Sequence, residues 1–166
     1  MKITATAAHA ALFLSLGTAA VWAEELDDAN KAYERGDYAT SLKIYHSLAA
    51  KGDARAQANL GVMYDKGQGV PQDDFVAAQW YRRAARQGIA RAQFNLGTLL
   101  AKGSNGVPPD YVRSHMWFDV AAKTYPESAT ESRERAVSSR NSVAAKMTPA
   151  QIAEAERLAR KWNPNK

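Results

Sequence analysis

Within "GDARAQANLG", residues 52–61, apolar positions recur every fourth residue, at Ala56, Leu60 and, just beyond, Tyr64. That spacing places the three on one face of a helix, with Arg55, Gln57 and Asp65 elsewhere on its surface. The stretch returns as "GIARAQFNLG", residues 88–97; Gly52 to Gly88, Leu60 to Leu96 and Lys66 to Lys102 are each 36 residues apart. A second pattern follows each copy. "QDDFVAAQWYRRAARQG" aligns with "PDYVRSHMWFDVAAKTY", placing Trp80 on Trp117 and Tyr81 on Phe118, and "GDYATSLKIYHSLAAKG" fits upstream with Ile44 and Tyr45 in those places. Between the halves stand "KGQGVPQDD" and "KGSNGVPPD", whose Gly and Pro mark loops. Each unit therefore reads helix, loop, helix, and a period of this length means stacked helical units.

A glycine inside a helix costs about 1 kcal/mol relative to alanine, so Gly61 and Gly97 require a compensating gain. Close approach supplies one: with no side chain there, Trp80 or Trp117 of the following helix is expected to lie against bare backbone. After Tyr125 the pattern breaks. "ESATESRERAVSSRNSVAAK" carries only a sparse stripe, Ala129, Ala136, Val137 and Ala144, and leaves a polar outer face. "MTPAQIAEAERLARKW" then has Thr148 as helix cap, Pro149 at the first helical position and Gln151 three after the cap. Ile152, Ala155, Leu158, Ala159 and Trp162 form its buried stripe. Polar ends of this kind keep repeat arrays soluble.

These elements resemble the Sel1-like repeats, relatives of tetratricopeptide repeats, through "ARAQANLGVMYDKGQGVPQD" with "WYRRAARQG" and "ARAQFNLGTLLAKGSNGVPPDY" with "WFDVAA". The resemblance implies an all-α, right-handed solenoid of antiparallel helix hairpins with a C-terminal capping helix. Its parts are a tetratricopeptide-like first hairpin over 24–52, repeats over 53–88 and 89–125, and capping helices over 126–166. The first unit departs from the pattern by its short Gly36-Asp37-Tyr38 turn. Exported relatives of this kind imply a protein-interaction module of the cell envelope, serving as an adaptor or regulator.

In such arrays the first helices line the concave side. Arg55, Asn59, Val62 and Lys66 run along one helical stripe, and Arg91, Asn95, Thr98 and Lys102 repeat it. Two Arg-Asn ladders would offer guanidinium forks and amide donors to a carboxylate or another anion. The alternative is structural: the asparagines read as bonds between neighbouring repeats and the arginines as solvent-facing residues. Aligning Tyr33 with Tyr64 puts Asp28 where Asn59 stands, and an acid there would narrow or end the anionic site.

Composition changes this picture at its margins. Residues 1–23, "MKITATAAHAALFLSLGTAAVWA", have basic Lys2, an apolar run from Ala10 to Leu16, and small residues flanking Trp22, the layout of a secretory leader cleaved after Ala23. A membrane anchor is the rival reading, but Thr4, Thr6, His9, Ser15 and Thr18 dilute the run below what spanning requires. The expected product is exported, periplasmic first and released outside the cell second, with no stable membrane insertion after cleavage. The chain has no cysteine and a net charge of +5. The first excludes disulfides and thiol catalysis; the second is too small an excess to imply nucleic acid.

Catalytic chemistry finds little footing. His46 and His115 have no second histidine at metal-binding spacing, no serine stands in a Gly-x-Ser-x-Gly setting, and the Gly-rich loops do not fit a phosphate-cradling motif. Asp73 and Asp74 read as a helix cap and dipole partner. No cofactor and no metal are expected. The partner expected is another envelope protein, with a peptidoglycan-derived ligand as alternative and a hydrolase of such material as the third reading.

Overall fold

The computed structural model describes residues 6–104 and 108–164, the side chains of 6–19 excepted. The expected leader thus falls partly, at residues 1–5, outside the described residues; from Thr6 onward it continues unbroken into the first helix. Among the described residues there are eight helices: α1 (Thr6–Glu34), α2 (Tyr38–Ala50), α3 (Ala54–Lys66), α4 (Asp74–Arg86), α5 (Ala90–Lys102), α6 (Tyr111–Thr124), α7 (Thr130–Ala144) and α8 (Pro149–Lys161). No helix among the described residues is long and apolar enough to cross a membrane.

Local chemistry sets the helix ends. Asp37, Asp53, Asp73 and Asp110 each cap a helix by accepting backbone N–H bonds in its first turn, Asp53 from Arg55 and Ala56 and Asp73 from Phe75 and Val76. The acid also suits the positive end of the helix dipole. Thr148 and Gln151 form a reciprocal capping box at α8, with Pro149 at its first position. Gly67 closes α3 in the left-handed conformation, φ 67°, and returns its N–H to the Met63 carbonyl, as αL helix ends do.

From α1 to α7 each helix packs on the next in chain order, α3 also meets α5, and α8 packs on α6 in place of its neighbour α7. Two large cores straddle the unit boundaries. The first joins Leu26 and Ala29 of α1 to Tyr45 and Leu48 of α2 and Ala56, Leu60 and Met63 of α3. The second runs from Ala58 through Tyr81, Leu96 and Trp117 to Ala159 of α8. Fully burying one such side chain contributes about 1.5–3 kcal/mol, so no hairpin is stable without its neighbour.

The helical glycines are sites of close approach, but the ring above them is the residue after each tryptophan. A Cβ at Gly61 would overlap the Tyr81 ring, and one at Gly97 would lie 3.0 Å from Phe118 Cδ1. Consecutive helical residues point about 100° apart, so once Tyr81 and Phe118 face the glycines, the tryptophans must face elsewhere. Trp80 is half-buried against His46, 5.8 Å between centroids, with the Arg83 guanidinium 4.6 Å from its ring. Trp117 is buried and meets Trp162 edge-on at 6.1 Å. On α7 the buried pair is Ala136 and Val143, with Val137 packed beside them; Ala129 and Ala144 are only half-buried, Ala129 being the cap residue.

Candidate functional site

α3 and α5 carry the first-helix pattern, α1 and α7 stand in the corresponding places at the ends, and an aromatic from each second helix inserts between two of these four. Between α1 and α3, the Tyr45 hydroxyl donates to Asn30 Oδ1 at 2.7 Å, and Asn59 Nδ2 donates to the same oxygen at 3.1 Å. Arg91, reaching from α5, donates through Nη2 to Asn59 Oδ1 at 2.5 Å. Burial pushes the Tyr45 phenol up to about 12, against the opposing hydrogen bond with Asn59. Tyr45 is thus a neutral donor at ordinary pH and holds the amide chain in one orientation.

Around this chain lies a cavity of about 460 Å³. Leu26, Tyr33, Tyr45 and Val62 supply its apolar and aromatic surface; Asn30, Glu34, Arg55, Asn59 and Arg91 supply its polar groups. Arg55 is held by Asp53 at 3.1 Å. Arg91 has no ion pair among the described residues, and Glu34 places one carboxylate on the same cavity wall.

Of the eight residues in the two stripes, four come together here: Arg55, Asn59, Val62 and Arg91. Lys66 is exposed at the end of α3 and does not line the cavity. Asn95 is half-buried and bonds the Tyr81 hydroxyl, one junction further along. That hydroxyl also donates to Asp65 Oδ2 at 3.2 Å, and burial, reinforced by Asp65, drives the Tyr81 phenol well above its usual range. Thr98 bonds its own helix at the Phe94 carbonyl, 3.1 Å, and lines a separate cavity with Ser138 and Val143. Lys102 pairs with Asp74 at 2.8 Å beside the loop that opens α4. The C-terminal ends of the stripes therefore reach the loop side of the solenoid and leave the groove.

From α1 the residue bonded to Asn59 is Asn30, whereas Asp28 is exposed and outside the cavity. The short first turn shifts the register that Tyr33 suggests. Gln57 is buried rather than on the surface: its Nε2 donates to the Ala49 carbonyl at 3.4 Å and its Oε1 accepts from Gln87 at 2.8 Å. Gln93 repeats the bond to the Ala85 carbonyl at 3.1 Å. Recurrence of "RAQ" at the repeat spacing was the available signal for this pair.

His46 is half-buried between Tyr64 and Trp80. His115 is buried with Nδ1 unbonded; burial, then Arg140, hold its pKa below the ordinary value. No cluster of three or more acids and histidines that could hold a metal occurs among the described residues.

The Sel1 repeat family model matches residues 54–89 and 90–123. No curated protein matches the chain. Among solved structures it is similar to c5321, a protective antigen present in uropathogenic Escherichia coli strains displaying an SLR fold, with TM-score 0.74 and 30% identity over 87% of this chain and 31% of that one. It is also similar to a Sel1 repeat protein from Oxalobacter formigenes, with TM-score 0.62 and 26% identity over 84% of this chain and 56% of that one. The chain thus spans less than two thirds of either relative.

Proposed function

Because the chain carries two Sel1 repeats within an all-α solenoid, an architecture that generally mediates protein–protein interaction, we propose that it is a non-catalytic interaction module of the cell envelope. Its cavity grips an extended or carboxylate-bearing segment of another envelope protein. The observation that carries this reading is Arg91, fixed by the Asn59 amide and in no ion pair among the described residues, at the edge of an aromatic-floored cavity. A guanidinium preorganised in that way binds a carboxylate through a planar, charge-assisted pair. Export rests on the leader-like residues 1–23, and the periplasm is the site of action, release from the cell being second.

Cavity size favours one further reading, a small anionic envelope ligand such as a peptidoglycan fragment, since about 300–1,000 Å³ is typical of small-molecule sites. In-cell crosslinking and affinity capture separates the two. Wild type is compared with Arg55→Glu/Arg91→Glu, checked for unchanged helicity, which removes the bond from Arg91 to Asn59 but leaves that from Asn59 to Asn30 in place. A defined protein captured only by wild type supports the adaptor. Identical captures from both, together with a melting temperature raised by purified muropeptides, would move the function to the small ligand.

A further inference from the structure

Beyond the cavity, the concave side continues onto α7, where a second set of groups converges. Phe94 of α5 and Tyr125, the residue closing α6, pack with Val137 of α7 over Ala121, Ala122 and Ala136. The Arg135 guanidinium lies 5.3 Å from the Phe94 ring centroid, and Phe94 rests on Phe118 at 5.3 Å. Arg91 stands three residues before Phe94 and so shares its helix surface. Both arginines act on the Tyr125 phenol, pulling its pKa down against the burial that raises it. Arg91 and Arg135 share the absence of an ion pair among the described residues with Arg35, Arg82, Arg83, Arg86 and Arg133; what sets them apart is that they converge on Phe94 and Tyr125.

We infer that Arg135 and Tyr125, with Arg91 beside them, form a second carboxylate site, and that the groove takes an extended acidic protein segment bridging Arg55 on α3 to Arg135 on α7. The inference rests on the concave-face reading above and adds the ligand's length and charge. Packed helices stand about 8–10 Å apart; α3, α5 and α7 are alternate helices of the stack with few close backbone contacts, so the two steps from α3 to α7 amount to at least roughly 20 Å. An extended chain advances about 3.3–3.6 Å per residue and covers that distance in about six residues, further than a ligand confined to the first cavity can reach. Arg91 and Arg135, neither in an ion pair among the described residues, and the Tyr125 phenol complement carboxylates at one end of such a segment, while Arg55, shared with Asp53, meets those at the other.

The test follows the arginine side-chain Nε–Hε resonances of the full chain during titration with capped hexaglutamate, capped diglutamate and a hexaglutamine control. Hexaglutamate is expected to shift Arg55, Arg91 and Arg135 while sparing Arg82 and Arg86 on α4. Arg135→Gln, at an exposed position, should keep the diglutamate-induced shift at Arg55 and weaken hexaglutamate roughly ten-fold, the effect of one charge-assisted pair. Shifts at Arg55 and Arg91 with an unaltered hexaglutamate affinity in Arg135→Gln would overturn the second site and keep the proposed function. Shifts at Arg135 without Arg55 would keep the second site and overturn the first. Equal shifts at Arg82 and Arg86, or none anywhere, would overturn both.

Discussion

The junction between α1 and α3 and the junction between α5 and α7 are filled by residues at the same repeat position, Tyr45 and Phe118, yet they are held together differently. At the first, a hydroxyl enters a chain of amides ending in Arg91. At the last Phe118 brings no hydroxyl; the adjoining cavity is lined by Thr98, three serines and Lys146 beside the apolar Ala101 and Val143. There α6 is fastened instead by Ser114, which donates to the Gly97 carbonyl at 2.7 Å, and by Asp119, which accepts from Lys123 at 2.5 Å and Arg140 at 2.8 Å. Ring position is thus a packing requirement common to every junction, while the polar groups around it are local. Where the repeat ends, a charged clasp replaces the amide chain.

The two glycines offer the strongest way to break this comparison. Gly61→Ala forces a methyl into the Tyr81 ring and should lower stability by about 1–3 kcal/mol in urea unfolding, as overpacking does. At Gly97 the contact with Phe118 is looser, and the gain of about 1 kcal/mol in helix propensity opposes it. Gly97→Ala should therefore lie within about 1 kcal/mol of wild type. Equal losses at both would show that the junctions are packed alike.

Removing the hydroxyl comes next. Tyr45→Phe should cost about 0.5–1.5 kcal/mol, the net worth of an ordinary hydrogen bond, and should loosen Arg91, visible as faster exchange of its Nε–H. An unchanged stability and exchange rate would mean that Asn30 and Asn59 hold each other without the tyrosine.

Acid should single out the last junction. His115 faces Arg140 of α7, Asp119 of its own helix and Glu156 of α8. Its folded pKa lies below 6.5, so in the window just below 6.5 the unfolded chain binds more protons. Stability therefore rises with pH through that window and is lost as pH falls. His115→Gln should flatten this slope. Asp119 acts lower: burial raises its carboxyl pKa, but bonds from Lys123 and Arg140 outweigh that and hold it below 3.8. Its contribution is present above 3.8 and lost as pH falls through the lower folded value. A slope near pH 6 that survives His115→Gln would place the titration elsewhere.

The smallest effect is expected at Thr98, whose hydroxyl bonds its own helix outside the first cavity. Thr98→Ala should change stability by no more than about 0.5 kcal/mol and leave ligand capture intact. Loss of capture would restore the full second stripe to the groove.

Much of this molecule was legible in order along the chain. The helices, their aspartate caps, the loops between them and the α8 capping box follow from short-range chemistry, because a cap or a turn is decided by residues within three or four positions. The need for glycine at 61 and 97 was legible for the same reason: a residue that costs helix stability must be recovered by contact. Which ring makes that contact was not. Trp80 and Tyr81 are neighbours, and a rotation of about 100° about the α4 axis decides between them, a choice set by how α4 lies against α3.

The groove divides the same way. That Arg55, Asn59, Arg91 and Asn95 recur in register is a property of the sequence, as is the recurrence of Gln57 and Gln93. That Arg91 reaches back to Asn59, that Asn30 rather than Asp28 completes the chain, and that Lys102 leaves the groove for Asp74 are properties of the stack. Helical periodicity fixes direction around one axis only. Where two axes meet, and so which side chains share a cavity, depends on the large rings wedged between them, and those are positioned by residues far away along the chain.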